Sequence, residues 1–156
     1  MINHTRITVP REQLPEAAAR LAKEGSRFIT TVGTDRRPLG GGYEVRHLFA
    51  DDARGRVCSL VAEAPETDPT VPTITSAVPA AAWAERELYD LLGVTPAGHP
   101  DPRRLILADD WPDGIYPLRR DVAHNFRPPP AGNPSPPVKA APAGSTVVPV
   151  GPFFPT

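Results

Sequence analysis

Cysteine is nearly absent from this sequence, and so are long apolar runs. Cys58 is the single cysteine, which excludes an internal disulfide and an iron–sulfur cluster held by this chain alone, since such a cluster takes about four thiolates. A lone thiol fits a reducing compartment. No apolar run approaches the roughly 20 residues that span a bilayer, and residues 1–10 lack the apolar stretch of a signal peptide.

An excess of one charge is also missing. The chain has 17 Lys and Arg against 18 Asp and Glu, a formal net charge of −1. Nucleic-acid binders and polybasic membrane-surface proteins carry a basic excess, so both classes are disfavoured. Proline, by contrast, is abundant: 22 of 156 residues, about three times its average usage.

Sequence patterns for catalysis or metal binding are scarce as well. None of the histidines lies at ligand spacing from another histidine or from Cys58. P-loop, Gly-x-Gly-x-x-Gly and Gly-x-Ser-x-Gly patterns do not occur. Cys58 falls within a strand pattern and is predicted to be a small core residue. His99 lies in a turn, where a hydrogen-bonding role is favoured over metal binding.

Hydrophobic periodicity predicts an α+β fold, with a mainly antiparallel sheet and two packed helices. Strands are predicted at residues 5–9, 27–33, 43–50 and 56–63, the first of them at an edge. The first helix follows Pro10 and carries an apolar stripe: Leu14, Ala18, Leu21 and Ala22. The second helix is predicted over residues 80–92 and ends at Gly93. Its expected apolar stripe is Ala84, Leu88 and Leu91.

The remaining chain divides into a connector, a strap and a tail. Residues 63–79 form a proline-punctuated connector, and residues 94–121 form an irregular, charge-rich segment that we call the strap. Proline accounts for ten of the last 29 residues. Residues 127–156 are therefore predicted to be extended or disordered unless docked on a partner, and residues 1–126 form the folded domain.

Charged side chains concentrate on the second helix and the strap. The helix acids are Glu85, Glu87 and Asp90, and the strap arginines are Arg103, Arg104, Arg119 and Arg120. If the strap folds back over the helix, these groups would face each other, and Arg–carboxylate forks would fix the strap's path. Arg86 and Asp90 could also pair on the exposed helix surface. A solvated charged face is the alternative.

A catalytic interpretation of the same acids is weaker. Glu87 and Asp90 lie at i, i+3 and could form a general acid/base pair. Nearby arginines would keep both carboxylates ionised, whereas a general acid needs a raised pKa. The scarcity of catalytic motifs, together with the ion-rich strap, favours an interaction subunit over an enzyme.

Three blocks carry a family resemblance. They are Trp83-Ala84-Glu85-Arg86-Glu87-Leu88-Tyr89-Asp90-Leu91-Leu92-Gly93, then Gly98-His99-Pro100-Asp101-Pro102-Arg103-Arg104-Leu105, then Pro117-Leu118-Arg119-Arg120-Asp121. In order and spacing they resemble the signature of the C subunit of bacterial NADH:quinone oxidoreductase (respiratory complex I). The same family includes the matching subunit of membrane-bound nickel–iron hydrogenases and formate hydrogenlyases. Residues 109–118 are more similar to that hydrogenase branch, and Arg120 stands where complex I members often have lysine.

The resemblance implies a structural subunit of a peripheral arm, without a cofactor or metal of its own. It would contact the large catalytic subunit and the small iron–sulfur subunit on the cytoplasmic side of the membrane. Iron–sulfur clusters, and nickel–iron or quinone, would belong to those partners. The residues expected to brace the interface are Glu85, Arg86, Glu87, Asp90, Gly93, His99, Asp101, Arg103, Arg104, Trp111, Pro117, Leu118, Arg119, Arg120 and Asp121.

Several alternatives stay open. The C subunit of a NADH:quinone oxidoreductase competes with the hydrogenase-type subunit. A proline-rich adaptor or assembly factor is a different class of function, and a hydrolase using Glu87, Asp90 or His99 is another. Residues 147–156 resemble the opening of the large subunit of these complexes, with Phe154 where histidine is typical. That end could be a relic of a fused chain, a docking mimic or a disordered tail.

Overall fold

The central sheet is built around two long antiparallel strands. In the computed structural model, which describes residues 3–123 and 126–128, β3 (Tyr43–Asp51) pairs with β4 (Arg56–Ala64). β2 (Arg27–Asp35) pairs antiparallel with β3, and β1 (Asn3–Thr8) pairs parallel with β4. The order is β1-β4-β3-β2, so the prediction of an α+β fold with a mainly antiparallel sheet and an edge first strand is confirmed.

Alternation along β3 gives the sheet a core face and an open face. The side chains of β3 that face the core are all buried: Tyr43, Val45, His47 and Phe49. Glu44 points to the open face, yet it is only 1% exposed. Its carboxylate is buried because the guanidinium groups of Arg6, Arg36 and Arg46 surround it. The open face is therefore ionic, whereas the core face is apolar.

The first helix, α1 (Leu14–Lys23), packs over β4 on the core face. Leu14, Ala18 and Leu21 form its buried stripe, as the periodicity predicted, whereas Ala22, the fourth predicted member, is half-buried. Pro15 lies in the first turn, where its missing N–H removes no helical hydrogen bond. Cys58 is buried in the same core, also as predicted.

The second helix, α2 (Ala82–Leu92), packs over β2 on the same side of the sheet. Leu88 and Leu92 approach Gly33 so closely that a Cβ there would overlap their methyl groups. The buried stripe is Ala81, Glu85, Leu88 and Leu92. The predicted stripe was therefore partly wrong: Ala84 and Leu91 are only half-buried, because the helix turns Glu85 inward.

Two short strands were not predicted. β5 (Thr70–Pro72) lies in the connector and β6 (Thr95–Ala97) in the strap, and they pair in parallel. Each has three residues and contains a proline, so neither shows the length or alternation that identifies a strand in a sequence. Among the residues described, neither helix is long and apolar enough to cross a lipid bilayer. The predicted tail beyond residue 128, including residues 147–156, lies outside the described residues.

Candidate functional site

Glu85 anchors the segment that precedes α2. Its buried carboxylate accepts hydrogen bonds from the hydroxyls of Thr73 and Thr75 and from the backbone N–H of Ile74, the last at 2.8 Å. His99 Nε2 lies 3.9 Å away. A buried carboxylate is tolerated when its oxygens are filled by donors in this way. The predicted arginine partner of Glu85 was wrong, because hydroxyl and backbone donors take that place.

Arg86 binds the strap through backbone oxygens. Its Nε and one terminal nitrogen donate to the carbonyls of Arg103 and Arg104, both at 2.8 Å. The other terminal nitrogen lies 3.3 Å from a carboxylate oxygen of Asp101. Arg86 is thus directed away from Asp90, and the predicted surface pair between them was wrong. One guanidinium instead fixes two consecutive peptide units of the strap.

Asp90 receives the next three residues of the strap. Its Oδ2 accepts from the backbone N–H groups of Leu105 and Ile106 at 2.7 Å and from that of Leu107 at 3.3 Å. Asp90 is 1% exposed. The three amides together provide the positive pole that a buried carboxylate requires. The predicted arginine partner was wrong here too, since backbone amides take its place.

The strap follows α2 from its N-terminal to its C-terminal end. His99 Nε2 lies 3.0 Å from the carbonyl oxygen of Ala82, in the first turn. At the other end, Arg119 Nε donates to the carbonyl of Leu92 at 2.7 Å. Residues 82, 86 and 90 are spaced by four, so they form one helix face. The expectation that the strap folds back over the helix is therefore met, although most of its anchors are backbone groups.

Gly93 allows the strap to close on the C-terminal end of α2. Its φ is 73°, a conformation that ends the helix and favours glycine. A Cβ there would lie 2.5 Å from a guanidinium nitrogen of Arg119 and 2.6 Å from the ring of Tyr116. The Arg119 guanidinium lies 4.2 Å from the Tyr116 ring centroid and 5.3 Å from that of Tyr43, within cation–π range.

Arg104 and Trp111 close the middle of the strap on itself. Arg104 donates to the carbonyls of Ala108 and Trp111 at 3.2 and 2.8 Å and to the carboxylate of Asp113 at 2.6 Å. Trp111 Nε1 donates to the carbonyl of Ile115 at 2.7 Å. These bonds hold a loop without regular secondary structure in one conformation.

The end of the strap is tied to the end of β2. The backbone N–H of Arg120 donates to Asp35 at 3.0 Å, and Arg37 bridges Asp35 and Asp121 at 2.8 and 2.9 Å. Hydrogen bonding by Arg37 holds the pKa of Asp35 well below its usual range, against the opposing effect of burial. Sequence reasoning missed Asp35 and Arg37, because a charged turn after a strand is typical of any surface loop.

Other predicted residues take smaller parts. Glu87 is exposed, and Arg103 forks onto Asp101 at 2.7 and 2.8 Å. Hydrogen bonding by Arg103 lowers the pKa of Asp101 to about 2. The Arg120 side chain is exposed and Pro117 is half-buried. Arg103 and Arg120 thus contribute backbone atoms to the strap's anchorage and direct their side chains outward.

Three exposed apolar side chains line the outer side of α2 and the strap. Trp83, Ile106 and Leu118 are 72, 52 and 59% exposed, and we call them the apolar strip. Trp83 lies about two turns before Leu91 on the same side of the helix. The backbone N–H of Ile106 binds Asp90, and that of Leu118 binds the carbonyl of Leu91. Of these three residues, only Leu118 was predicted as an interface residue. The exposure of Trp83 depends on how α2 is rotated, which the sequence does not specify.

The described residues contain no group of three or more His, Cys, Asp or Glu side chains placed to hold a metal ion. His47 is completely buried in the core, and its Nδ1 lies 2.9 Å from the hydroxyl of Thr31. Neither the strap nor the core of the described region therefore offers an assembled metal centre.

Comparison with known proteins finds relatives of this chain. Formate hydrogenlyase subunit 5 of Escherichia coli (strain K12) is 42% identical over 118 residues, which are 74% of this chain and 21% of that protein. Hydrogenase-4 component G of the same strain is 34% identical over 152 residues, 94% of this chain and 27% of that protein. The NADH-quinone oxidoreductase C subunit of Herpetosiphon aurantiacus is 37% identical over 120 residues, 74% and 68% respectively. The chain spans only about a quarter of the length of the first two.

Solved structures share the fold. A trypsin-resistant fragment of Nqo5 superposes with a TM-score of 0.56 at 29% identity, over 63% of this chain and 82% of the fragment. A chain of the archaeal membrane-bound sulfane sulfur reductase gives a TM-score of 0.68 at 22% identity, over 80% of this chain and 75% of that one. Residues 7–127 match the family described as respiratory-chain NADH dehydrogenase, 30 Kd subunit. The chain therefore belongs to the family of the 30 kDa subunit of respiratory-chain NADH dehydrogenase.

Proposed function

We propose that this chain is a non-catalytic structural subunit in the peripheral arm of a membrane-bound respiratory redox complex. One observation carries the proposal: three of the four charged side chains of α2 are occupied in holding the connector and the strap, and the fourth, Glu87, is exposed. Glu85, Arg86 and Asp90 each bind backbone or hydroxyl groups of this same chain. A surface fixed in this way is suited to docking, since a rigid interface loses little conformational entropy on binding.

The apolar strip is the proposed contact with the neighbouring subunits. A tryptophan that is 72% exposed on a rigid helix has the properties of an interface anchor. Exposed apolar patches are typical of protein–protein contacts, and Trp83, Ile106 and Leu118 would contribute to one on the outer side of α2 and the strap. The partners we propose are the large catalytic subunit and the small iron–sulfur subunit, on the cytoplasmic side of the membrane. Those partners would hold the redox cofactors, and this chain none.

Between the two branches of the family, we favour a membrane-bound [NiFe] hydrogenase-type complex. The support is the 42% identity to a formate hydrogenlyase subunit and the 34% identity to a hydrogenase-4 component that extends over 94% of this chain. The C subunit of a NADH:quinone oxidoreductase is the second candidate, supported by 37% identity to such a protein.

Purification of the full chain with its partners tests the assignment. The chain, affinity-tagged in the cells that produce it, is expected to bring down a large and a small redox subunit at one copy each through gel filtration. Nickel in that complex would support the hydrogenase branch, and its absence together with NADH:quinone activity would support the other. Substoichiometric recovery that fades with purification would contradict a permanent subunit and favour the adaptor.

The apolar strip can be tested separately from the fold. Trp83→Ala combined with Leu118→Ala removes two exposed side chains, so the free energy of unfolding should change by less than about 1 kcal/mol. Recovery of partner subunits should fall at least about tenfold, as expected for loss of interface anchors. Val32→Ala is the matched control, because Val32 is 41% exposed on the sheet face opposite α2. Equal recovery for both variants would contradict the docking role.

A further inference from the structure

The first strand leaves one edge of the sheet open. β1 stands at the end of the strand order, and among the residues that the structure describes its sole strand partner is β4. The N–H of Val9 donates to the carbonyl of Val61 on β4, and backbone groups alternate in direction along a strand. The N–H and C=O groups of His4, Arg6 and Thr8 therefore point away from β4. These three positions form an edge to which another strand can bond.

Over residues 3–8, β1 lacks the protection that edge strands commonly have. Such edges are guarded by exposed charges, by proline or by a bulge. Arg6, the one permanently charged side chain of β1, instead reaches across the sheet to Glu44 at 3.0 Å, and His4 Nε2 lies 2.7 Å from the hydroxyl oxygen of Ser59. The strand at the opposite edge, β2, has a break in register near its start. β1 is thus regular and open to pairing, whereas β2 is interrupted.

A groove runs beside this edge on the core face of the sheet. Its volume is about 400 Å³, and it lies between β1 and α1 with β4 as its floor. Ile7 and Val9 form one wall and Ala17 is part of the other, and all three side chains are half-buried. They pack against the main apolar core. α1 therefore covers β4 but leaves the core face of β1 incompletely covered.

The edge and the groove together select an extended occupant. A strand added to β1 would bond to the outward backbone groups, and every second side chain of that strand would fall on the core face, beside Ile7 and Val9. A helix laid in the groove would leave the N–H and C=O groups of the edge unpaired. A free strand edge next to a helix-lined groove is the geometry by which many proteins bind a peptide through strand addition.

The charges around the groove favour a basic residue in that segment. Arg20 pairs with Glu24 and Arg56 pairs with Asp51, both at 2.9 Å. Glu16 also lines the groove, is exposed, and has no ion-pair partner among the side chains that the structure describes. A lysine or arginine on the α1 side of an added strand would balance this carboxylate.

We propose that the edge of β1 is completed by an extended segment of a neighbouring subunit, with apolar residues at alternate positions and an arginine or lysine facing Glu16. The inference rests on the proposed function, because it assigns the edge to one of the redox partners. A subunit that braces two neighbours needs two separate contacts. The apolar strip lies on the side of α2, which packs over β2, whereas β1 is at the opposite end of the sheet.

Thr8→Pro tests the edge without opening the sheet. It removes an N–H that points away from β4, and proline is tolerated at such positions of an edge strand. Thr8→Ala is the matched control, because it loses the same side chain and keeps the N–H. Thr8→Pro should lower the recovery of one redox subunit with the tagged chain at least about tenfold relative to Thr8→Ala, the equivalent of about one hydrogen bond. Equal recovery with both variants would overturn the proposal.

Ala17→Lys tests the groove and leaves β1 unchanged, so the proposal stays testable if Thr8→Pro does not fold. The lysine side chain would fill the groove and repel the proposed cation. Ala19→Lys makes the same substitution at an exposed position of α1 that does not line the groove. Ala17→Lys should reduce recovery of the same redox subunit at least about tenfold, and Ala19→Lys should not. A reduction of the same size in both, or in neither, would count against the groove as the binding site.

Hydrogen exchange measures the pairing directly. The amides of residues 4, 6 and 8 should exchange at least about tenfold more slowly in the purified complex than in the free full-length chain. Equal exchange in the two states would contradict strand addition by a partner. Slow exchange that is already present in the free chain and is lost when residues 129–156 are removed would assign the edge to this chain's own tail and overturn the partner assignment.

Crosslinking identifies the occupant. A photo-crosslinking phenylalanine analogue in place of Thr5, which lines the groove, should attach to a peptide of a redox subunit that has alternating apolar residues and an arginine or lysine. Attachment only to residues 129–156 or to a second copy of this chain would overturn the assignment. If the redox subunits co-purify but the variants, the exchange and the crosslink show no effect, only this inference falls. If no redox subunit co-purifies with the wild-type chain, the proposed function falls and this inference with it.

Discussion

The two helices lie on the same face of one sheet and are held there by different kinds of interaction. α1 packs through Leu14, Ala18 and Leu21, an apolar stripe against β4. α2 packs partly through Leu88 and Leu92, but it also carries Glu85, Arg86 and Asp90, which bind the chain before and after it. One helix therefore stabilises the core alone, whereas the other organises the segments around it.

This difference matters because apolar contact is non-directional and a hydrogen-bonded anchor is not. A side chain in α1 can be exchanged for another of similar volume at modest cost. An anchor in α2 must present its donors or acceptors at fixed positions, since the groups it binds are themselves buried. The proposed docking surface accordingly lies on α2, where hydrogen-bonded anchors fix the positions of the neighbouring segments.

Glu85→Ala should give the largest effect, because it leaves three buried donors without an acceptor. We expect the free energy of unfolding to fall by about 4 kcal/mol, with new protease cleavage in residues 65–78 under native conditions. Urea unfolding and limited proteolysis measure the two effects. Glu87→Ala, an exposed acid on the same helix, should stay within about 0.5 kcal/mol of the wild-type chain. Equal losses of stability in both variants would show that Glu85 is no more important to the fold than an exposed acid on the same helix.

Leu14→Ala tests the other side of the comparison. Leu14 is completely buried, so truncation should leave a cavity and cost about 3 kcal/mol. Because the buried stripe of α1 is apolar and lies against β4, native-state proteolysis should reveal no new cleavage in residues 94–121. New cleavage in residues 94–121 of Leu14→Ala would mean that the strap depends on the whole core and not on α2.

Mild acid should destabilise the sheet before it releases the strap. Burial lowers the pKa of His47 to about 4, below its unfolded value near 6.5. The unfolded chain therefore binds more protons between these values, and stability present above pH 6.5 is lost as the pH falls, by about 3 kcal/mol at pH 4. The strap carboxylate Asp101, with a pKa of about 2, stays ionised over this range.

His47→Gln isolates that contribution, since glutamine can keep a hydrogen bond to Thr31 without titrating. Its stability, measured by urea unfolding at several pH values, should fall much less between pH 6.5 and 4 than that of the wild-type chain. Equal slopes would show that another group causes the acid sensitivity.

Arg119→Ala should lower the free energy of unfolding by about 2 kcal/mol, the smallest of these effects. The loss comes from the hydrogen bond to the Leu92 carbonyl and from the contact with Tyr116. Arg103→Ala is its control within the strap: it loses only an outward fork onto Asp101, so thermal unfolding should scarcely move. An equal loss of stability in Arg103→Ala would show that surface ion pairs anchor the strap. Arg119 also supports the fold itself, so lost assembly in an Arg119 variant would not by itself report on docking.

The division between apolar packing and hydrogen-bonded anchors also decides which features the sequence predicts. Most of the buried stripe of α1 and the strands at residues 43–50 and 56–63 were predicted correctly, because apolar side chains that recur at a regular spacing can be recognised from residue types alone. The partners of Glu85 and Asp90 were not predicted, because most of them are backbone amides and small hydroxyls. Backbone amides occur at nearly every residue, and threonine is too common to identify a partner. β5 and β6 were not predicted for a related reason. Three-residue strands that contain proline are specified by their partners and not by their own pattern.

Because the strap is anchored through its backbone, its path does not depend on which side chains it carries. Arg86 and Asp90 bind carbonyls and N–H groups of residues 103–107, which every residue type except proline supplies in full. The outward side chains at Arg103 and Ile106 can therefore change without moving the strap. Under the docking role proposed above, the strap would be a replaceable recognition surface on a constant support, and partner choice could be redesigned by substituting these positions while the fold is left intact.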